Sequence, residues 1–286
     1  MQGLEGELRF YVCNLPSSFD RLHIIPVSDA HLGDPLFSEK HFLRTLKYIH
    51  DTPHVRAVLV GDLLNSVIVG KPGNIFRQTI ASPQDQRDVM IKYLLPIKDK
   101  ILGMVTGNHE ARIMDTCGVD LSADIAHALN IPYRAEGIGL KIKFGMGASY
   151  HHSERYPCVY YLYMTHGYGG ARTTAAKAVK GERLSYFLNA DVYIMAHDHV
   201  TNAAPVVSLR CNQREYEDKE TGFTNCAVVA RRAIVVKSNA YIKHGGYGEA
   251  KGYPPVDLLT PIITLSGHST DDDYELGQYP TAKAVI

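Results

Sequence analysis

Five short segments of this 286-residue chain put nitrogen- or oxygen-bearing side chains just past an apolar, strand-forming run. Asp29 and His31 follow the run 22–27, Asp62 follows 56–60, Asn108 and His109 follow 101–105, His166 follows 158–165, and His197 and His199 follow 191–196. Side chains at such positions sit at the carboxyl edge of a sheet, where open α/β proteins place their chemistry. The two-residue alternation of extended chain turns Asp29 and His31 to one side, as two ligands of one metal must be, and does the same for His197 and His199. Each fragment alone has an ordinary explanation: a surface acid near a surface histidine, an aspartate capping a helix, a Gly-Asn turn. Five strand ends carrying ligand types in one chain are hard to assign to burial or chance, and jointly they point to a metal site.

The elements that must hold these groups follow from periodicity. Runs 8–13 and 22–27 read as strands flanking the turn-prone Asn14-Leu15-Pro16-Ser17-Ser18. Phe42, Leu43, Leu46 and Ile49 stand at helical spacing behind Ser38 as a cap, which predicts a helix over 38–50. A buried strand over 56–60 leads to an excursion over 67–82, a helix over 83–98 kinked or ended by Pro96, and a strand over 101–105. A further helix spans 119–129, with His127 on its surface. This βαβαβα order predicts a largely parallel sheet layered by helices.

The second half differs. Runs 138–144 and 158–165 read as paired strands around a loop with Gly145, Gly147, His151 and His152, both histidines facing solvent. Strands over 204–209, 227–230 and 233–237 imply a second sheet, and 262–265 a last strand. From about residue 266 a surface tail bearing Asp271-Asp272-Asp273 is expected, and the whole of 1–286 reads as one domain. After His166 the turn from Gly167 to Thr174 is glycine-rich and leads into a helix over 175–189; the N–H groups of Gly169 and Gly170 suit a phosphate, and Arg172 adds a forked donor. Lys177, Lys180 and Arg183 make a basic strip on that helix, expected to be a solvated face.

Composition narrows the class. Lys+Arg and Asp+Glu both number 30, so no global field draws the chain to nucleic acid or an anionic membrane. Five scattered cysteines without a CxxC spacing argue against a disulfide framework or a cysteine zinc site and suit a reducing compartment. The start carries Glu5 and Glu7 without an apolar leader, and no run is long enough to span a membrane, so a cytoplasmic location without membrane contact is expected.

The motifs Asp29-x-His31, Gly61-Asp62 with Asn65, Gly107-Asn108-His109-Glu110, His166-Gly167 and His197-x-His199 resemble, in order, those of the calcineurin-like metallophosphoesterase superfamily, over about residues 22–199. The resemblance implies a four-layer α/β/β/α sandwich of two mixed sheets flanked by helices, holding two divalent transition-metal ions. Carried over by position, one ion takes Asp29, His31, Asp62 and His199, and the other takes Asp62, Asn108, His166 and His197, with Asp62 bridging. His109 would be the acid facing the leaving group, and a hydroxide held between the ions the attacking group. Asn108 as a neutral oxygen ligand leaves the site a net positive charge for phosphate, since two dications outweigh two carboxylates. Nitrogen and oxygen ligands admit Mn, Fe, Zn, Co or Ni, with Mn the choice for assay.

Two departures narrow the substrate. The protein Ser/Thr phosphatases of that superfamily carry an arginine before Gly-Asn-His and Asp-Arg-Gly after Gly-Asp, where this chain has Thr106 and Leu64-Asn65-Ser66. Asp29-Ala30-His31-Leu32-Gly33 is similar to the opening motif of SbcD-type nucleases, yet the chain is too short for their capping regions. The expectation is a stand-alone phosphodiesterase acting on a nucleotide or nucleic-acid end, with Asn108, Arg172, Gly169 and Gly170 contacting substrate and no obligate protein partner. The alternatives are a broad phosphomonoesterase and a metal-binding scaffold for a protein partner. Glu110 is left either as an orienting group or as a simple helix-start charge.

Overall fold

The structure, a computed structural model, describes residues 8–70, 73–145, 158–171, 173–238, 240–246, 249, 252, 255, 257–267 and 282–286. Two six-stranded mixed sheets face one another. One contains β2 (Arg21–Val27), β3 (Val55–Val60), β4 (Ile101–Val105) and β5 (Tyr133–Arg134), all parallel, extended on the β2 side by the antiparallel β11 (Ile262–Ser266) and β12 (Ala282–Val285). The other runs β1 (Phe10–Asn14), β6 (Ile138–Lys143), β7 (Val159–Thr165), β8 (Val192–Met195), β10 (Thr224–Lys237), β9 (Asn202–Glu217), mixing parallel and antiparallel neighbours. Among the described residues no helix is long and apolar enough to cross a membrane.

Strand alternation builds three apolar layers. Ile25, Val27, Ala57, Leu59 and Met104 point outward from the first sheet and pack on α1 (Glu39–Asp51), α2 (Pro83–Leu94) and α4 (Leu121–Leu129) through Phe42, Leu46, Met90, Ile125 and Leu129. Ile24, Val58, Val60 and Val105, one residue out of step, face Ile138, Leu140, Leu162, Met164 and Ile194 of the second sheet. On that sheet's far side Tyr163, Tyr193 and Val235 pack with Leu184, which follows α5 (Thr174–Glu182). The four-layer sandwich expected from the motifs is the one observed. Each fully buried aliphatic side chain contributes about 1.5–3 kcal/mol, and a one-residue slip of β2 or β3 would exchange the two layers.

Several local expectations change. β1 and β2, read as flanking one turn, enter different sheets. Ser38 stands at the α1 cap position, but its hydroxyl makes no capping bond. Pro96 ends α2, since its ring cannot continue the ladder; Leu95–Lys100 tightens into 3₁₀ turns. The helix expected to run to 189 stops at Glu182. The strands expected at 227–230 and 233–237 are one 14-residue strand, with Arg231 and Arg232 inside it, paired with the 16-residue β9. The tail ends in an edge strand, β12, whereas His151, His152 and Asp271-Asp272-Asp273 lie outside the described residues.

Candidate metal centre

The carboxyl ends of β2, β3, β4, β7 and β8 converge, and the turns leaving them are strained. Of the non-glycine described residues with positive φ, Asp29, His31, Asp62, His197 and His199 belong to the expected ligand set, and Ser66 follows Asn65. A non-glycine residue held left-handed costs about 1 kcal/mol, so five in one place signal a backbone bent to aim side chains. Backbone bonds hold the bends: Asp29 N–H donates to Gly61 O at 3.0 Å, His31 N–H to Asp62 O at 3.0 Å, and Tyr241 N–H to Asp29 O at 3.0 Å. Gly107 permits the closest approach, because a Cβ there would lie 2.1 Å from both the N and Oδ1 of Asp62.

The candidate ligand atoms fall into two lobes. In the first, Nε2 of His31 and Nε2 of His199 are 3.1 Å apart, and His199 Nε2 is 3.2 Å from Asp29 Oδ1. In the second, His166 Nε2 lies 3.2 Å from Asp62 Oδ2 and 3.1 Å from Asn108 Oδ1, and His197 Nδ1 lies 2.8 Å from that Asn108 oxygen. Asp62 Oδ2 stands between them, 3.9 Å from His31 Nε2. Ligand atoms of Asp29, His31 and His199 lie within 4.8 Å of one another, as do those of Asp62, His166 and His197, and of His31, Asp62 and His109.

Backbone carbonyls aim the imidazoles. His166 Nδ1 lies 2.7 Å from Val60 O, His109 Nδ1 2.7 Å from Asn65 O, and His197 Nε2 2.6 Å from Gly169 O. For His166 and His197, a ring N–H donated to the carbonyl leaves the other nitrogen's lone pair toward the cluster, the tautomer that a metal ligand needs. Burial pushes the pKa of His31 and His197 down and so favours their neutral, ligating form, and it lowers that of His109 as well. Burial would raise the carboxyls of Asp29 and Asp62, but the surrounding histidines, His199 and His166 foremost, bring both below the usual range. Burial also opposes a charge on His166, and there Asp62 wins and raises it.

A cation fits this arrangement on the structure's own terms. Asp29 Oδ1 is buried and accepts no hydrogen bond. A hydrogen bond between His31 and His199 would satisfy their two nitrogens and still leave that oxygen bare, whereas a divalent ion satisfies all three. The second lobe likewise crowds acceptors: Asn108 Oδ1 has two imidazole nitrogens against it.

Glu110, left ambiguous by the sequence, is a backbone brace. Buried at 1% exposure, it accepts from Leu64 N at 2.8 Å, Asp62 N at 3.1 Å and Gly107 N at 3.2 Å, joining the turns after β3 and β4 as α3 (Asn108–Cys117) begins. Burial and the charge of Asp62 push its pKa up to about 7 against the pull of those donors. His109 holds its own N–H on Asp62 Oδ1 at 2.8 Å, while its partly exposed ring sits edge-on to His31 at 4.4 Å between centroids.

The basic strip departs from its solvated reading at Lys177 and Lys180, whereas Arg183 is exposed as expected. Lys177 is buried, and it and Lys180 reach Asp198, the residue between His197 and His199, as does the fully buried Lys237. No motif marked Asp198 or Lys237; the one available signal was a lysine closing an otherwise apolar run. Gly169 turns its carbonyl toward His197, Gly170 is exposed beside it, and Arg172 lies outside the described residues.

No family model matches the chain. No curated protein matches it either. Among solved structures, it is similar to a predicted phosphoesterase from Streptococcus pneumoniae (11% identity, 94% of this chain and 99% of that one, TM-score 0.35). It is also similar to a single-residue variant of Vps29 from Entamoeba histolytica (13% identity, 92% and 98%, TM-score 0.36). A third is an NAD nucleotidase from Haemophilus influenzae (9% identity, 93% and 49%, TM-score 0.42). Likeness this distant lends no weight to any particular chemistry, which is argued from the residues of this chain.

Proposed function

We propose that this chain is a phosphoester hydrolase that works with two divalent ions and prefers diesters, with a nucleotide or a nucleic-acid end as substrate. The observation that carries the reading is the convergence of Asp29, His31 and His199 in one lobe and of Asp62, Asn108, His166 and His197 in the other, with a buried Asp29 oxygen that accepts no hydrogen bond. Asp29, His31, Asp62 and His199 would hold one ion, and Asp62, Asn108, His166 and His197 the other. When bound, such a pair polarises phosphoryl oxygens and makes water a nucleophile near neutral pH.

The chain's own residues supply the rest. Asp62, braced by Glu110, keeps the lobes in register. Asn108 presents a neutral oxygen, so the site's charge remains favourable to a phosphate. His109 is anchored through Nδ1 to the Asn65 carbonyl, and its side chain keeps 22% of its exposure, so Nε2 can give a proton to a departing alkoxide. Burial lowers the pKa of His109, which makes its cation a stronger acid. Gly169 and Gly170, in the turn that meets His197, would contact the substrate phosphate, with Arg172 as a further donor.

The test is hydrolysis of bis-p-nitrophenyl phosphate and p-nitrophenyl phosphate by Mn-loaded protein. Faster turnover of the diester is expected. Activity confined to the mono-ester would move the reading to a phosphomonoesterase, and no hydrolysis of either across several metals would leave a binding scaffold. His109→Ala should lower kcat by about 10²-fold or more while Mn²⁺ still binds; full activity in that variant removes His109 as the acid.

A further inference from the structure

The turn that carries His197 and His199 has a fastening independent of the ligands. Asp198 is 7% exposed. Its Oδ1 accepts from Lys180 Nζ at 2.8 Å and its Oδ2 from Lys237 Nζ at 2.7 Å. Its own carbonyl accepts from Lys177 Nζ at 2.9 Å, and Lys237 also donates to Ala196 O at 3.0 Å. Three lysines from α5 and β10 therefore converge on two residues, Ala196 and Asp198, on either side of His197. The two lysines that bond its carboxylate are nearly as buried as it is: the side chain of Lys180 is 12% exposed and that of Lys237 is 1%.

Such a cluster is expensive. Lysine is rarely buried without a partner, and here three cations share one carboxylate and two carbonyls. Well-packed apolar side chains would ordinarily stabilise a helix-on-sheet contact at least as well. What the lysines supply instead is direction, since each ammonium fixes a particular backbone or carboxylate oxygen. The turn they fix is the one with His197 at φ +70° and His199 at φ +52°, conformations its residues would not hold unaided. The same fastening reaches the glycine-rich turn: His197 Nε2 bonds Gly169 O, and a Cβ at Gly169 would lie 3.2 Å from Lys180 Nζ.

We infer that Asp198, clamped by Lys177, Lys180 and Lys237, is a positioning residue that sets the aim of His197 and His199, one in each lobe, and ties both to the glycine-rich turn. Its carboxylate is taken up by Lys180 and Lys237 and belongs to none of the candidate ligand groups. The inference rests on the metal-site reading given above. It assigns to α5 and β10 a direct part in the metal affinity of both lobes.

Isothermal titration of metal-free protein with Mn²⁺, alongside circular dichroism and thermal unfolding, tests it. The wild type should bind Mn²⁺. Asp198→Asn, which keeps the shape and removes the charge, should bind it at least tenfold more weakly with unchanged circular dichroism. Lys180→Met leaves Asp198 paired with Lys237 and should weaken binding by about threefold; it carries the test should Asp198→Asn fail to fold. A folded variant that melts lower yet binds Mn²⁺ with wild-type affinity would reduce the cluster to a stabilising contact and overturn the inference. Failure of the wild type to bind Mn²⁺ would instead sink the metal-site reading, and the clamp's role with it.

Discussion

The two halves of the ligand cluster are braced by charges of opposite sign. Behind the turns after β3 and β4 stands one carboxylate, Glu110, gripping the N–H groups of Asp62, Leu64 and Gly107. Behind the turn after β8 stand lysines gripping the carbonyls of Ala196 and Asp198. The sign follows from which backbone groups each turn leaves unpaired, because a buried N–H or C=O must find a partner. The braces also differ in redundancy. Glu110 serves three donors alone, whereas Asp198 is held from two elements by three lysines, so losing one group should hurt the first half more than the second.

The largest effect tests what the halves share. Asp62→Ala removes the carboxylate standing between the lobes and should lower turnover by roughly 10³-fold, about 4 kcal/mol, and weaken Mn²⁺ binding in both lobes. Binding at one full-affinity site in that variant, seen by titration, would show that the lobes are independent. Next comes Gly107→Ala, whose methyl group would collide with the backbone N of Asp62 as well as with its Oδ1, and the backbone cannot give way as a flexible side chain could. It should destabilise by about 3 kcal/mol in chemical unfolding, and a loss under 1 kcal/mol would mean that the turns do not need this approach.

The comparison itself is tested by one pair of variants. Glu110→Gln keeps the shape but turns an amide N–H₂ toward buried N–H groups, and should cost about 2–3 kcal/mol. Lys237→Met leaves Asp198 its bond to Lys180 and should cost about 1–2 kcal/mol. A larger loss from Lys237→Met would reverse the claim about redundancy. The smallest effect belongs to the middle of the β9–β10 hairpin: Leu209 is 72% exposed there, and Leu209→Thr should shift stability by less than about 0.5 kcal/mol.

The β2, β3 and β4 strands and their helices were readable because their signals are local: an apolar run, a glycine, then a helical repeat. The convergence of Asp29, Asp62, Asn108 and the histidines was readable for a related reason, since each sits where a strand must end. The hairpin was less so. Arg231 and Arg232 interrupt the apolar pattern of β10, and only the cross-strand pairing with Ser208 and Val207 shows that the strand runs through them.

Residue type and spacing along the chain thus settled which atoms are offered at the sheet edge and, through period-two alternation, which sheet face is buried. Folding in three dimensions settled what holds those atoms still. Glu110 meets the Asp62 backbone across 48 residues, and Lys237 meets Asp198 across 39, one carboxylate among many and one lysine among many until the turns reveal which backbone groups lack partners. Hydrogen-bond satisfaction in a buried turn depends on the path of the backbone, which no local pattern of side chains encodes.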